Sequence, residues 1–216
     1  MRNISSAVLS LAAMALSSLT TYLSFFDARY TLTAAVADVD GQTQRGSSSG
    51  NGRWSVNFRF YAAPTIILSN RGTRALVVSE VSAVASDSLG ECRIADGAER
   101  RKVTVLNEAA NRYEVLDPQI IESGSVIPLE FEVSLKDIDM EGSTDVAPDF
   151  DLSTIETMWC LEWVIFDPNG KRHEEVMPGF VSTVEFEIPE GEDRPVQTYK
   201  LDNPKGAVQL LSRGIF

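Results

Sequence analysis

The side chains able to do chemistry are few in kind. The 216-residue chain has one histidine, His173, two cysteines, Cys92 and Cys160, and 31 acidic residues against 19 Lys and Arg. A single histidine excludes a three-histidine zinc site, an H-E-x-x-H helix and a two-histidine iron triad within one chain. No G-x-x-x-x-G-K-[ST] or G-x-G-x-x-G occurs, so the phosphate-cradling loops are absent. The net charge of −12 argues against nucleic acid as a partner, because phosphates are neutralised by clustered basic side chains.

Four constellations remain. Cys92 and Cys160 are candidates for a disulfide, worth about 2–4 kcal/mol in an oxidising compartment; two unpaired thiols packed as small hydrophobes are the alternative. A nucleophilic Cys160–His173 pair would have to form across the turn Asp167-Pro168-Asn169-Gly170, yet Lys171 to Glu175 reads as a solvated strand end. Asp137 to Asp145 matches the front half of an EF-hand loop, with acids at positions 1, 3, 5 and 9 and Gly142 at 6. Pro148 stands at position 12, where a bidentate Glu belongs, and the segment follows a strand. Asp137, Asp139, Glu141 and Asp145 are therefore candidate calcium ligands within what otherwise reads as an acidic loop, and no other cofactor is expected. Arg71, Gly72 and Arg74 share a turn whose backbone N–H groups could hold an anion.

The elements that must position these residues fall into two parts, 1–29 and 30–216. Ile4 to Phe26 carries no charge and as a helix is about 34 Å long, enough to cross a bilayer. Arg2 precedes the span, Asp27 follows it, and Tyr22, Phe25 and Phe26 lie at its far end, which favours a cytoplasmic N-terminus with the remainder outside. A cleaved signal peptide is the rival, since Ala35-Val36-Ala37 has the A-x-A form, but that site lies well beyond the apolar run. Within the span Ser6, Ser10, Ala13, Ser17, Thr20 and Ser24 follow a 4-3-4-3-4 spacing. Such a stripe of small residues lets a second helix, from another copy or another protein, approach closely.

After Arg29 period-two alternation recurs and no helical period is sustained, which predicts a mainly β chain of seven to nine short antiparallel strands folded as a sandwich. Trp54, Val56, Phe58 and Phe60 alternate with Ser55, Asn57 and Arg59; Ile127 to Leu135 and Ile155 to Phe166 carry comparable inner faces. Gly41 to Arg53, GQTQRGSSSGNGR, reads by composition as a flexible loop. Charge is uneven: residues 28–112 hold eleven basic and eight acidic side chains, whereas 113–216 hold seven and 22. An acidic face of that kind would meet cations or a basic partner and avoid anionic lipid.

The run Thr65-Ile66-Ile67-Leu68-Ser69-Asn70-Arg71-Gly72-Thr73-Arg74-Ala75-Leu76 resembles the strand, Asn-x-Gly, strand element of bacterial immunoglobulin-like modules. The opening from Leu9 to Val39, with Tyr22-Leu23-Ser24-Phe25-Phe26-Asp27, is similar to that of bacterial proteins that begin with one membrane span. The resemblance implies an immunoglobulin-like sandwich on the periplasmic side of the inner membrane, and assigns no catalytic residue. The expected function is a membrane-anchored, non-enzymatic accessory or interaction module, a subunit of a larger membrane complex. A sandwich binding carbohydrate or calcium is the alternative, and a two-carboxylate glycosidase stands behind both for want of any motif.

Overall fold

Residues that alternate apolar and polar over long stretches bury one face only by pairing into sheets and stacking them. A computed structural model describes residues 14, 16–18, 30–107, 112–143, 154–190, 195–203 and 206–213. Among them are thirteen strands: β1 (Tyr30–Gly50), β2 (Arg53–Asn70), β3 (Leu76–Ala85), β4 (Arg100–Lys102), β5 (Thr104–Asn107), β6 (Arg112–Val115), β7 (Gln119–Ile121), β8 (Val126–Glu130), β9 (Val133–Ser143), β10 (Ile155–Phe166), β11 (Arg172–Glu187), β12 (Val196–Asp202) and β13 (Ala207–Arg213). Residues 14 and 16–18 are helical. No helix among the described residues is long and apolar enough to cross a membrane, and the span predicted at 4–26 otherwise lies outside them.

Two antiparallel sheets make a sandwich. The first runs β13–β1–β2, with the far edge of β2 shared between β9 and β8. The second runs β12–β11–β10–β3, with β4 and β7 both on the outer edge of β3. Their facing sides share one core in which Leu32, Ile66 and Leu68 meet Leu76, Leu161, Trp163, Ile165 and Phe180, all fully buried. Strands β5 and β6 form a separate hairpin.

The predicted flexible loop at 41–53 is instead the distal half of the longest hairpin. β1 and β2 pair without interruption from Asp38↔Thr65 to Gly50↔Arg53. The reversal is made by Asn51 (φ 54°) and Gly52 (φ 71°), the two positive-φ positions of a tight hairpin turn. Gly41, Thr43, Arg45 and Ser47 lie on the inner face of β1 opposite Ala62, Phe60, Phe58 and Val56. The apolar side of this arm comes from β2 and β9: Trp54, Val56, Phe58 and Phe60 pack with Ile138 and Met140 on Val184 and Phe186. At Gly41 the ring of Tyr199 fills the space, and a Cβ would stand 2.8 Å from its Cε1; beyond it distal β1 covers little and carries small and polar residues.

Two apparent strand breakers have local reasons. Pro64 lies inside β2 where its partner changes from β9, which ends at Ala62↔Val133, to β8, which starts at Thr65↔Glu130. A missing N–H there interrupts neither ladder. Gly179 sits at the β11 bulge, where a Cβ would stand 2.8 Å from the Trp159 carbonyl oxygen.

At one end of the sandwich Asn70 is fully buried. Its Nδ2 donates to the carbonyls of Arg74 (2.8 Å) and Ile121 (2.9 Å), and its Oδ1 accepts from Gly72 N–H (2.9 Å). Its backbone also pairs with Gly124 and Ser125. One side chain therefore fixes both crossovers between the sheets at this end. Asn70→Ala leaves these groups buried and unpartnered; the expected cost is about 1–3 kcal/mol, measured as a lower urea midpoint at unchanged m-value.

Candidate functional site

The turn Asp167-Pro168-Asn169-Gly170 favours an Asp side chain that bonds its own backbone two residues on. Asp167 Oδ1 accepts from the N–H groups of Asn169 (2.8 Å) and Lys171 (3.0 Å). Its Oδ2 accepts from the Tyr30 hydroxyl (3.1 Å) and lies 3.3 Å from His173 Nε2. The Tyr30 and His173 rings meet edge to face at 6.4 Å. Burial alone would raise the Asp167 pKa; the two backbone N–H groups, His173 and Tyr30 outweigh it and hold the carboxyl below its ordinary value.

This Asp–His–Tyr cluster is the most chemically elaborated group among the described residues, and sequence reasoning did not find it. The turn residue was legible; its meeting with Tyr30, 137 residues away, was not. The pair considered for His173, Cys160, is elsewhere: His173 stands opposite Ile165 and Cys160 opposite Pro178. The cluster ties the first residue of β1 to the β10–β11 hairpin.

Cys160 is fully buried beside the bulge between Trp159 and Cys160. It is joined to Cys92 by a disulfide, with Cα atoms 5.7 Å apart at a sequence separation of 68. The bridge holds the loop between β3 and β4 to the second sheet. Ser86 organises the same loop: its hydroxyl donates to the Glu91 carbonyl (2.7 Å) and accepts from Arg93 N–H (3.0 Å).

The predicted EF-hand-like loop is corrected. Residues 137–143 belong to β9, in which Ile138 and Met140 face the arm core while Asp137, Asp139 and Glu141 project outward. Same-face residues on a strand are spaced about 6.6 Å apart, and a calcium loop requires its ligands to converge. Asp139 accepts from Asn57 Nδ2 at 2.6 Å and Asp137 lies 3.8 Å from Arg59. Asp145 lies outside the described residues, among which no group of three acids, His or Cys could hold a metal ion. Of the helix-packing stripe, only Ser17 is described, with helical backbone; Ser6, Ser10, Ala13, Thr20 and Ser24 lie outside. Two N–H groups of the Arg71–Arg74 turn are engaged within the protein: Arg71 N–H donates to Thr31 O at 2.9 Å, and Gly72 N–H to Asn70 Oδ1.

Among the described residues, two of the surface hollows are large enough for a ligand. One, about 420 Å³, lies at the arm tip between Ser48, Arg53, Trp54, Ser55, Glu141 and Ser143. The other, about 310 Å³, lies on the outer face of the second sheet, where Arg100 binds Glu162 through two nitrogens (2.6 and 3.1 Å) and Arg172 pairs with Glu174. In the second, each of these cations is already engaged by a carboxylate of the same wall.

No protein-family model matches the chain, and no curated protein does. Among solved structures it is similar to a protein assigned as ApaA from Bordetella pertussis, at 12% identity over 70% of this chain and 92% of that one, with a TM-score of 0.28. At that score the likeness carries no argument.

Two expectations follow. Because the Asp167 pKa is lowered on folding, its stabilising contribution is complete above the ordinary aspartate range, about pH 4, and is lost as pH falls through the folded value. Asp167→Asn is therefore less stable than wild type at pH 7, and the difference narrows in urea titrations below about pH 4. Reduction of Cys92–Cys160 opens a 68-residue loop, which in the chain-entropy account costs about 4 kcal/mol; unfolding with and without dithiothreitol measures it.

Proposed function

We propose that the protein is anchored in the bacterial inner membrane by residues 4–26, with its N-terminus in the cytoplasm. Its sandwich lies in the periplasm, where it serves without catalysis as an accessory or interaction module of a larger membrane assembly. The observation that carries the interaction role is the outer edge of β1. Beyond Ala35↔Ala207, where pairing with β13 ends, no strand among the described residues pairs with β1 on the side away from β2. Over Gln42–Gly50 that edge runs along a projecting arm, and an open edge is a template for an added strand of a partner, joined by main-chain hydrogen bonds.

Supporting the anchor are the uncharged run Ile4–Phe26 and its stripe Ser6, Ser10, Ala13, Ser17, Thr20 and Ser24. The disulfide suits an oxidising compartment, and the immunoglobulin-like resemblance of the Asn70 turn suits a periplasmic module. A second reading, a carbohydrate-binding tip, draws on the hydroxyl-lined hollow around Ser48, Ser55 and Ser143. Calorimetry of the purified chain against neutral oligosaccharides tests it, and absence of heat at millimolar sugar removes it.

For the principal reading, purification in mild detergent is expected to bring down a partner. Ser10→Leu with Ser17→Leu is expected to reduce that yield, because two bulky side chains interrupt the small-residue stripe and keep a partner helix from close approach. A chain that runs alone, unchanged by both substitutions, overturns the proposal. Labelling by an impermeant thiol reagent in intact cells, only after reduction, is the expected result for a periplasmic Cys92–Cys160.

A further inference from the structure

We propose that the Tyr30 end of the sandwich is a docking surface for anionic phospholipid headgroups, which holds the domain upright on the bilayer. The proposal rests on the anchored reading above. Only Asp27, Ala28 and Arg29 separate the uncharged run from Tyr30, so covalent geometry keeps Tyr30 within about 14 Å of Phe26. Whatever lies around Tyr30 is then at headgroup level.

Three turns converge there. Leu32 pairs with Asn70 and Arg71 N–H donates to Thr31 O, which brings in residues 70–76. Asn70 O accepts from Gly124 N–H, which brings in 122–125, and the Tyr30 hydroxyl donates to Asp167, which brings in 167–171. The charges on these turns and on the first residue of β11 are Arg71, Arg74, Lys171 and Arg172 against Glu122 and Asp167. Asp167 is buried and fully engaged and Arg172 is paired with Glu174, whereas Arg71 and Lys171 are exposed.

In a chain of net charge −12 this end is thus locally basic. The exposed acids Glu141, Glu156, Glu185 and Glu187 lie at the opposite end of their strands. Two aliphatic side chains, Ile120 and Val126, each 63% exposed, flank the basic turns at Ile120↔Val77 and Val126↔Ser69. Cations beside exposed aliphatics match an anionic lipid surface, which offers phosphates outside and acyl chains beneath. The acidic arm, tens of ångströms away, lies beyond the reach of that surface's field, which decays over about 10 Å at 0.1 M salt.

The test uses the full chain in nanodiscs of phosphatidylcholine alone or with phosphatidylglycerol. Amine-reactive labelling at Lys171 is compared with Lys136, exposed on the arm, by mass spectrometry. Lys171 labelling is expected to fall by about threefold in the anionic discs, to recover in 0.5 M salt as the surface charge is screened over roughly 4 Å, and to recover in Arg71→Glu; Lys136 is expected to stay constant. Equal labelling of Lys171 in both discs, whether high or low, overturns this proposal alone. A chain that enters neither disc overturns the anchored reading and this proposal with it.

Discussion

The pairing of β1 with β2 is the constraint on which the rest of the molecule depends. Every strand of the first sheet joins one of these two, so their register sets the whole layer. A slip of one residue would turn Trp54, Val56, Phe58 and Phe60 from the arm core to solvent. The same register places Asn70 against Leu32, and that is what brings the crossover turns to the start of β1. The Asn-Gly reversal at the far end and the side chain of Asn70 at the near end bracket one ladder.

The second sheet is held to this frame by different means. Its hydrophobic face supplies Trp163, Ile165 and Phe180 to the shared core, while Asp167 draws Tyr30 onto the β10–β11 hairpin and the disulfide secures the loop after β3. Of these, the Asp167–Tyr30 contact fixes the start of β1 on the second sheet.

Much of this was readable before any coordinates. The apolar alternation of Trp54–Phe60 and of Ile155–Phe166 marked β2 and β10, and the clean inner face from Ile127 marked β8 and β9. Two segments were misread because composition outweighed period. GQTQRGSSSG carries the residues of a linker, yet it is a strand with little to cover, so nothing selects for apolar side chains at its inner positions. Asp137-Ile138-Asp139-Met140-Glu141 carries the acids of a calcium loop, but its alternation with Ile138 and Met140 is a strand period, and β2 offers Asn57 and Arg59 to two of those acids. The Asp167 cluster was legible only in its turn. The contact with Tyr30 depends on tertiary pairing, which no local pattern encodes.

An open edge of this length also bears on solubility. Edges left unpaired template stacking of identical chains, and segments prone to it are rich in β-branched and aromatic residues. Gln42–Gly50 has a single β-branched residue, Thr43, together with two glycines, three serines and a cation at Arg45. Its backbone is held extended by β2 rather than by its own preference. Two such edges meeting would each contribute hydrogen bonds but almost no side-chain packing, and the arginines would repel. The edge is accordingly a poor seed for fibrils of this chain, and favours an incoming strand that supplies the apolar side chains it lacks.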